Sequence, residues 1–330
     1  MVTNGRTRGR PFFDERGART MLAITQESFG GPEVLTVTEV DPPRPLPTEV
    51  LVRVHAVGVN PVESFIRSGA FPLLGPPPFV LGWEISGVVE EVVPGTERFR
   101  PGDEVYGMPF FPRAASGYAE YVAAPSRMLA RKPATVDHVH AAALPLVGLT
   151  AWQGLVEYAR IAAGQTVLIH GAGGGVGHLA VQIAKSRGAH VIGTASAGKH
   201  DFVRQLGADE LIDYRAVDFA EVVRDADVVF DVIGGDYGPR SLRCLRPGGV
   251  FVTAVDRTDA ELAVRARAAG MRFVGVAVEP DHVGLERLTE LVDAGRLRPH
   301  VEHVLPLVEA AKAHVLSDTG HITGKIVLTT

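Results

Sequence analysis

The sequence predicts an α/β protein in which a doubly wound parallel sheet stands beside a second, β-rich unit. Three observations carry that expectation. Residues 21–144 read as short β-branched runs broken by Gly and Pro, residues 146–297 alternate strands with helices, and residues 299–330 return to strand-rich text. A chain of 330 residues has room for about two domains of roughly 150 residues.

The chain is 46% hydrophobic and 22% charged, with a formal net charge of -5. That suits a globular core and gives no electrostatic reason to expect nucleic acid or an anionic membrane surface. No stretch reaches the ~18 apolar residues a membrane span needs. A single cysteine, Cys244, excludes an intramolecular disulfide framework and any multi-cysteine metal site, and fits a reducing, cytoplasmic setting.

Residues 1–20 carry Arg6, Arg8, Arg10, Arg16 and Arg19 without periodicity. No apolar segment follows as in a secretory signal, and Asp14 and Glu15 argue against a mitochondrial presequence. A disordered extension is expected there, with the fold opening at Met21. Residues 49–60 alternate like a strand, 79–93 form another such run, and Pro101-Gly102-Asp103 marks a turn. Pro42, Pro43, Pro45 and Pro47 make a stiff connection rather than a core strand. Few helices are expected in this part.

Residues 166–170 are a short buried-strand run, followed by a glycine-rich turn. Val176, Leu179, Ala180, Ile183 and Ala184 then recur at helical spacing, and Gly188 suits the C′ position. Strands at 190–194, 210–213, 227–233, 250–254 and 272–278, with a helix at 199–206, complete the alternation that implies a parallel sheet.

The turn Ala172-Gly173-Gly174-Gly175-Val176-Gly177 matches G-x-G-x-x-G with alanine at its first position. A pyrophosphate needs a helix N-terminus with bare N–H groups and no Cβ in its way. Such a loop is only a tight turn unless a strand precedes it and an amphipathic helix follows, as here. A dinucleotide cofactor is therefore expected. Sites for NAD carry an acid about 20 residues on. Here the chain runs from Ile192 to Lys199 with no acid before Asp201. Ser196 and Lys199 would welcome a 2′-phosphate, so NADPH is expected, the alternative being that Lys199 merely opens a solvated helix.

Several stretches resemble the medium-chain dehydrogenases/reductases. They are 49–60 with Pro61-Val62-Glu63, Gly82-Trp83-Glu84, Gly117-Tyr118-Ala119-Glu120-Tyr121-Val122, Leu149-Thr150-Ala151-Trp152, the glycine loop, and 321–328. The likeness spans 21–330 in the family's order. It implies a GroES-like domain (21–145 and 298–330), a Rossmann domain (146–297) and a site in the cleft between them. Zinc-dependent members place metal ligands where this chain has Asn60, Trp83 and Leu146, so no metal is expected. His138 and His140 are expected at the surface.

Within that family the chain resembles the quinone oxidoreductases. The resemblance puts Asn60 near the nicotinamide, Thr150 against its carboxamide, Tyr214 beside the 2′-phosphate, and the cofactor over Gly234. Lys325 is a further cofactor candidate. Plainer readings are a turn Asn before Pro, an N-cap Thr, a partly buried Tyr and a surface lysine. The implied reaction is hydride transfer from NADPH to a quinone or α,β-unsaturated carbonyl. An enoyl-thioester reductase and a non-catalytic NADPH-binding protein are the alternatives. Tyrosines of related reductases fall where this chain has Phe65 or Phe71, leaving Tyr118 and Glu63 as candidate acids. The resemblance also implies a homodimer joined through the sheet edge at 272–278.

Overall fold

The computed structural model describes residues 20–330; the expectation for residues 1–20 falls almost wholly outside them. Six parallel strands form one sheet, in the order Glu210–Asp213, His190–Ala195, Thr166–Ile169, Ala226–Asp231, Leu245–Thr253, Arg272–Gly275. This is the doubly wound order, and its reversal beside Thr166–Ile169 opens a crevice at the strand ends. The strands are central because their side chains suit burial on both faces: Val167, Leu168 and Ile169 are inaccessible, as are Val229 and Phe230. Helix Gly175–Ser186 packs through Leu179, Ala180, Ile183 and Ala184.

A second sheet runs Val301–Pro306, Lys325–Thr329, Glu49–Val59, Glu84–Val92, Glu104–Gly107, Leu129–Arg131, with Tyr121–Pro125 also pairing on Glu49–Val59. The chain's end is thus antiparallel to Glu49–Val59, with Ile326 opposite Val59. This is the GroES-like part that the strand-rich ending anticipated. Met21–Gln26, Leu35–Val40 and Phe79–Val80 make a small third sheet. The run at 79–93 is two strands rather than one, because Gly82 (φ +95) lies against Tyr118 and breaks it.

Helices in the β-rich part are more numerous than expected. Pro61–Ser68 is helical because Asn60 is extended, Pro61 fills the first helical position, and Glu63 accepts the Asn60 N–H at 2.8 Å. Helix Pro145–Trp152 is buried along almost its whole length. One apolar core runs through Val54 and Ile85 of the second sheet, Leu146 and Leu149 of this helix, Leu179 of helix Gly175–Ser186, and Phe230 of the parallel sheet. Among the described residues no helix is long and apolar enough to cross a membrane.

Candidate active site

The strand Thr166–Ile169 delivers the glycine loop to the crevice. Gly171 takes φ +63, its carbonyl accepts the Gly174 N–H at 2.9 Å, and the helix starts at Gly175. A Cβ on Gly177 would collide with the Gly171 carbonyl, so helix and strand approach only because it is glycine. Gly174 differs. A Cβ there would meet nothing nearer than 3.4 Å, so the fold itself does not demand glycine. A ligand occupying that space at a helix N-terminus would. The loop fits a pyrophosphate.

His178 braces the loop from beneath. The His300 N–H points at Nε2 (3.1 Å), so Nε2 accepts and Nδ1 carries the hydrogen that Gly174 O receives (3.0 Å). Burial pushes this imidazole down to about 4, keeping it neutral. The carboxy-terminal segment braces the same loop, with the Gly324 N–H on Gly173 O (3.1 Å) and Lys199 Nζ on Ile322 O (2.7 Å).

The register of neighbouring strands pairs Ala195 with Asp213, so Ser196 and Tyr214 leave the sheet side by side. Tyr214 is exposed, and the Arg215 guanidinium stands 5.7 Å from its ring centroid. Lys199 is half-buried and its stem packs on Gly173. Desolvation lowers its pKa against the opposing pull of Glu302. Further along, Gly234 (φ +81) donates its N–H to the buried Asp231 carboxylate at 3.2 Å. Thr150 is buried inside the helix, not at its cap, with its hydroxyl donating to Leu146 O at 2.7 Å.

Across the crevice the chain gathers Asn60, Glu84 and Lys325. Glu84 Oε1 accepts the N–H groups of Leu146 (2.6 Å) and Val147 (3.2 Å) at the start of helix Pro145–Trp152. Its Oε2 accepts from Asn60 Nδ2 (2.9 Å) and Lys325 Nζ (2.6 Å). Lys325 also donates to Asn60 Oδ1 (2.6 Å) and Val59 O (2.7 Å). Both charged side chains are at most 2% exposed. Lys325 is therefore buried and ion-paired, not a surface lysine. Its three ammonium hydrogens are all committed inside the protein, whereas Lys199 commits one.

Tyr118 also departs from expectation. It is fully buried, donating to Glu63 Oε2 at 2.6 Å, and burial with the Glu63 charge raises its pKa well above the phenol value. Arg67 Nη1 can only donate, so His314 Nδ1 accepts (2.8 Å) and His314 Nε2–H serves the Tyr118 oxygen (3.1 Å). Tyr118 is thus joined to Asn60 through Glu63 within the buried interior. Burial raises Glu63 to about 7, partly offset by the Tyr118 and Asn60 hydrogen bonds, and its Oε1 has no hydrogen-bond partner among the described residues. Glu84, Arg67, His314 and Arg215 were given no part by sequence reasoning. Only Glu84 lay in a motif, Gly82-Trp83-Glu84, that could have flagged it.

Phe65 is 58% exposed and Phe71 36% exposed. Arg257, from the loop after strand Leu245–Thr253, lies 5.9 Å from the Phe71 ring centroid and so links the two sides of the crevice. His138 is mostly covered rather than at the surface: it stacks on His55 (4.5 Å) and reaches Ser86 Oγ at 2.8 Å, whereas the His140 side chain is half-exposed. Among the described residues no three His, Cys, Asp or Glu side chains gather in a way that could hold a metal.

The alcohol dehydrogenase GroES-like domain matches residues 46–134, and the family described as zinc-binding dehydrogenase matches 206–328. The quinone oxidoreductase of Pongo abelii is 33% identical over 94% of this chain and 98% of the relative. The chain belongs to the medium-chain dehydrogenase/reductase superfamily. Within it the chain is quinone oxidoreductase-like, an NAD(P)H-dependent oxidoreductase acting on a small molecule. A 2-haloacrylate reductase of a Burkholderia species is 38% identical over 93% of this chain and 98% of its own length. The quinone oxidoreductase structure from Coxiella burnetii superposes with a TM-score of 0.90 at 36% identity, covering 94% of this reductase and all of that chain. The Escherichia coli quinone oxidoreductase complexed with NADPH gives 0.84 at 29% identity, with coverage of 94% and 100%.

Proposed function

We propose that this reductase is zinc-independent, prefers NADPH, and delivers hydride to a quinone or an activated α,β-unsaturated carbonyl. The observation that carries the zinc-free reading is the Lys325 ammonium, 2.6 Å from both Glu84 and Asn60. A fixed cation there satisfies the carboxylate and repels a metal ion, and Asn60, Trp83 and Leu146 offer zinc no suitable ligand set.

Bound NADPH would supply the hydride. The chain's task is to hold and orient. Gly173, Gly174, Gly175 and the N–H groups of Val176 and Gly177 would cradle the pyrophosphate, with Ala172 anchoring the loop to Thr194 O at 3.0 Å. Ser196, Lys199 and Tyr214 would surround the 2′-phosphate, and Gly234 would leave room for the cofactor to pass. Thr150, with oxygen lone pairs left, would accept from the carboxamide. Asn60 has one amide hydrogen and one lone pair uncommitted for the nicotinamide side. Phe65 and Phe71 give an acceptor ring apolar contact but no proton. A reduced quinone needs none from the protein, because water can protonate its phenolate-like anion.

The relatives' names bear on substrate as well: one is named for quinones and another for a haloacrylate, an α,β-unsaturated acid. Following absorbance at 340 nm with quinones, enones and enoyl thioesters, using NADPH and NADH in turn, tests the reading. Quinones or enones should be reduced with NADPH. Turnover confined to enoyl thioesters would replace it, and one zinc per chain with chelator-sensitive activity would end the zinc-free part. We also propose a homodimer joined through strand Arg272–Gly275.

A further inference from the structure

Asn60 is gripped twice. Its backbone N–H goes to Glu63, while its side chain is held at both atoms by Lys325 and Glu84. Taking a lysine and a glutamate out of water costs about what their attraction returns, so fold stability alone does not account for the pair. Its connections suggest another use. Glu84 is docked on the first N–H groups of helix Pro145–Trp152, and the Lys325 stem lies under the glycine loop, where a Cβ on Gly175 would sit 3.3 Å from Lys325 Cδ. The preceding residue, Gly324, holds the Gly173 carbonyl. One short segment therefore touches the cofactor loop with its backbone and stem, and Asn60 with its ammonium.

We propose that Lys325 and Glu84 are positioning residues, which fix the Asn60 carboxamide relative to the glycine loop and so to the cofactor's reactive end. The pair sets both torsional freedom and polarity of the amide. Lys325 can only donate, so the atom facing it must be oxygen, and the nitrogen must face Glu84. The uncommitted amide hydrogen then keeps one direction. This rests on Asn60 serving the nicotinamide side, as proposed above.

The test is a double-mutant cycle on the full chain, with quinone turnover, acceptor KM and NADPH affinity by fluorescence titration as readouts. Lys325→Met with Glu84→Gln together replace a neutral pair by a neutral pair and leave no lone buried charge. That double variant should bind NADPH within about threefold of the parent and lose kcat by about 100-fold, the scale of a 1 Å misplacement, with acceptor KM nearly unchanged. Asn60→Ala should cost a similar factor in the parent, and less than about threefold more in the double variant, because the two changes remove one effect. A folded double variant with parental kcat, or losses that multiply, overturns the positioning proposal. Asn60→Ala with parental kcat in the parent background instead refutes the role given to Asn60, and the proposal falls with it. If the double variant fails to fold, Lys325→Arg keeps the charge but moves the donor. It should lower kcat at constant KM, and parental kcat in it would also overturn the idea.

Discussion

Tyr118 gives its hydroxyl hydrogen to Glu63 across 2.6 Å and receives one from His314 across 3.1 Å. Both directions follow from Arg67, which forces the His314 tautomer. The hydroxyl is thus a link in a buried hydrogen-bonded chain. Tyr118→Phe should lower kcat by less than about tenfold while destabilising the fold by roughly 1–3 kcal/mol, the cost of leaving buried partners unmet. Steady-state kinetics and urea melts read both. A thousandfold loss of kcat at unchanged cofactor affinity would restore Tyr118 as the acid.

Glu63 makes stability depend on pH. Its carboxyl titrates at about 7 in the fold against 4.5 for an ordinary glutamate. Below the lower value both folded and unfolded chains carry the proton. As pH rises through the window, the unfolded chain loses its proton first, so stability falls until the folded group also ionises near 7. The loss amounts to at most about 3 kcal/mol. Glu63→Gln cannot ionise and should lack this slope. Urea midpoints for the two proteins should converge, or cross in favour of Gln, between pH 4.5 and 7.5. The buried histidines His170, His178 and His314 oppose the trend, because burial lowers them to about 3 to 4, but they act on both proteins alike. Parallel curves would mean that Glu63 is not protonated in the fold.

The glycines at 174 and 177 should fail differently. Gly177→Ala drives a methyl into the Gly171 carbonyl, so loop and helix must separate and thermal stability should drop sharply. Gly174→Ala meets only a 3.4 Å contact, and melting should stay near parental. Its methyl would instead enter the phosphate space, weakening NADPH by about tenfold or more. Differential scanning fluorimetry with cofactor titration separates the two, and undiminished affinity in Gly174→Ala would mean that the loop does not hold the pyrophosphate.

What the sequence made legible is what sequence neighbours determine. The glycine loop, its helix and the alternation of strands follow from periodicity within a dozen residues, and they lie where expected. The helix Pro61–Ser68 was legible too, in Asn60-Pro61 and Glu63, but the surrounding strand pattern masked it. The charged cluster was not legible. Lys325 lies 265 residues from Asn60 and 241 from Glu84, and a lone lysine before an apolar strand carries no local sign of burial. The same holds for Tyr118 and His314, 196 residues apart. Pairings made by topology can be read only once the sheet is closed.

Arg272–Gly275 is the outermost strand of the parallel sheet, pairing only with Leu245–Thr253 among the described residues, and Phe273 and Val274 are half-buried. An open edge with apolar side chains invites a second copy around a two-fold axis. Light scattering at micromolar concentration should give twice the chain mass of 35.2 kDa, and Val274→Lys should shift the protein toward monomer. A monomeric mass for the parent chain would refute the edge pairing.

Cofactor choice should rest on Lys199. Its ammonium spends one of three hydrogens on Ile322 O, so two remain for a phosphate, and a dianion beside it would counter the desolvation that lowers its pKa. Ser196 and Tyr214 emerge beside it by strand register, and no carboxylate stands between Ile192 and Lys199 to repel the phosphate. A charge-assisted hydrogen bond contributes about 1.5–3 kcal/mol, so Lys199→Ala should weaken NADPH by roughly ten- to a hundredfold. NADH has no phosphate at that position and should bind within about threefold of its parental affinity. The competing role of Lys199 is mechanical: it ties the carboxy-terminal segment to the loop through Ile322, and that tie serves both cofactors. Equal weakening of NADPH and NADH in Lys199→Ala would therefore assign the lysine to the tie and remove it from specificity. In that event Arg215, beside Tyr214, is the cation left to meet the phosphate, and Arg215→Ala should then produce the selective loss.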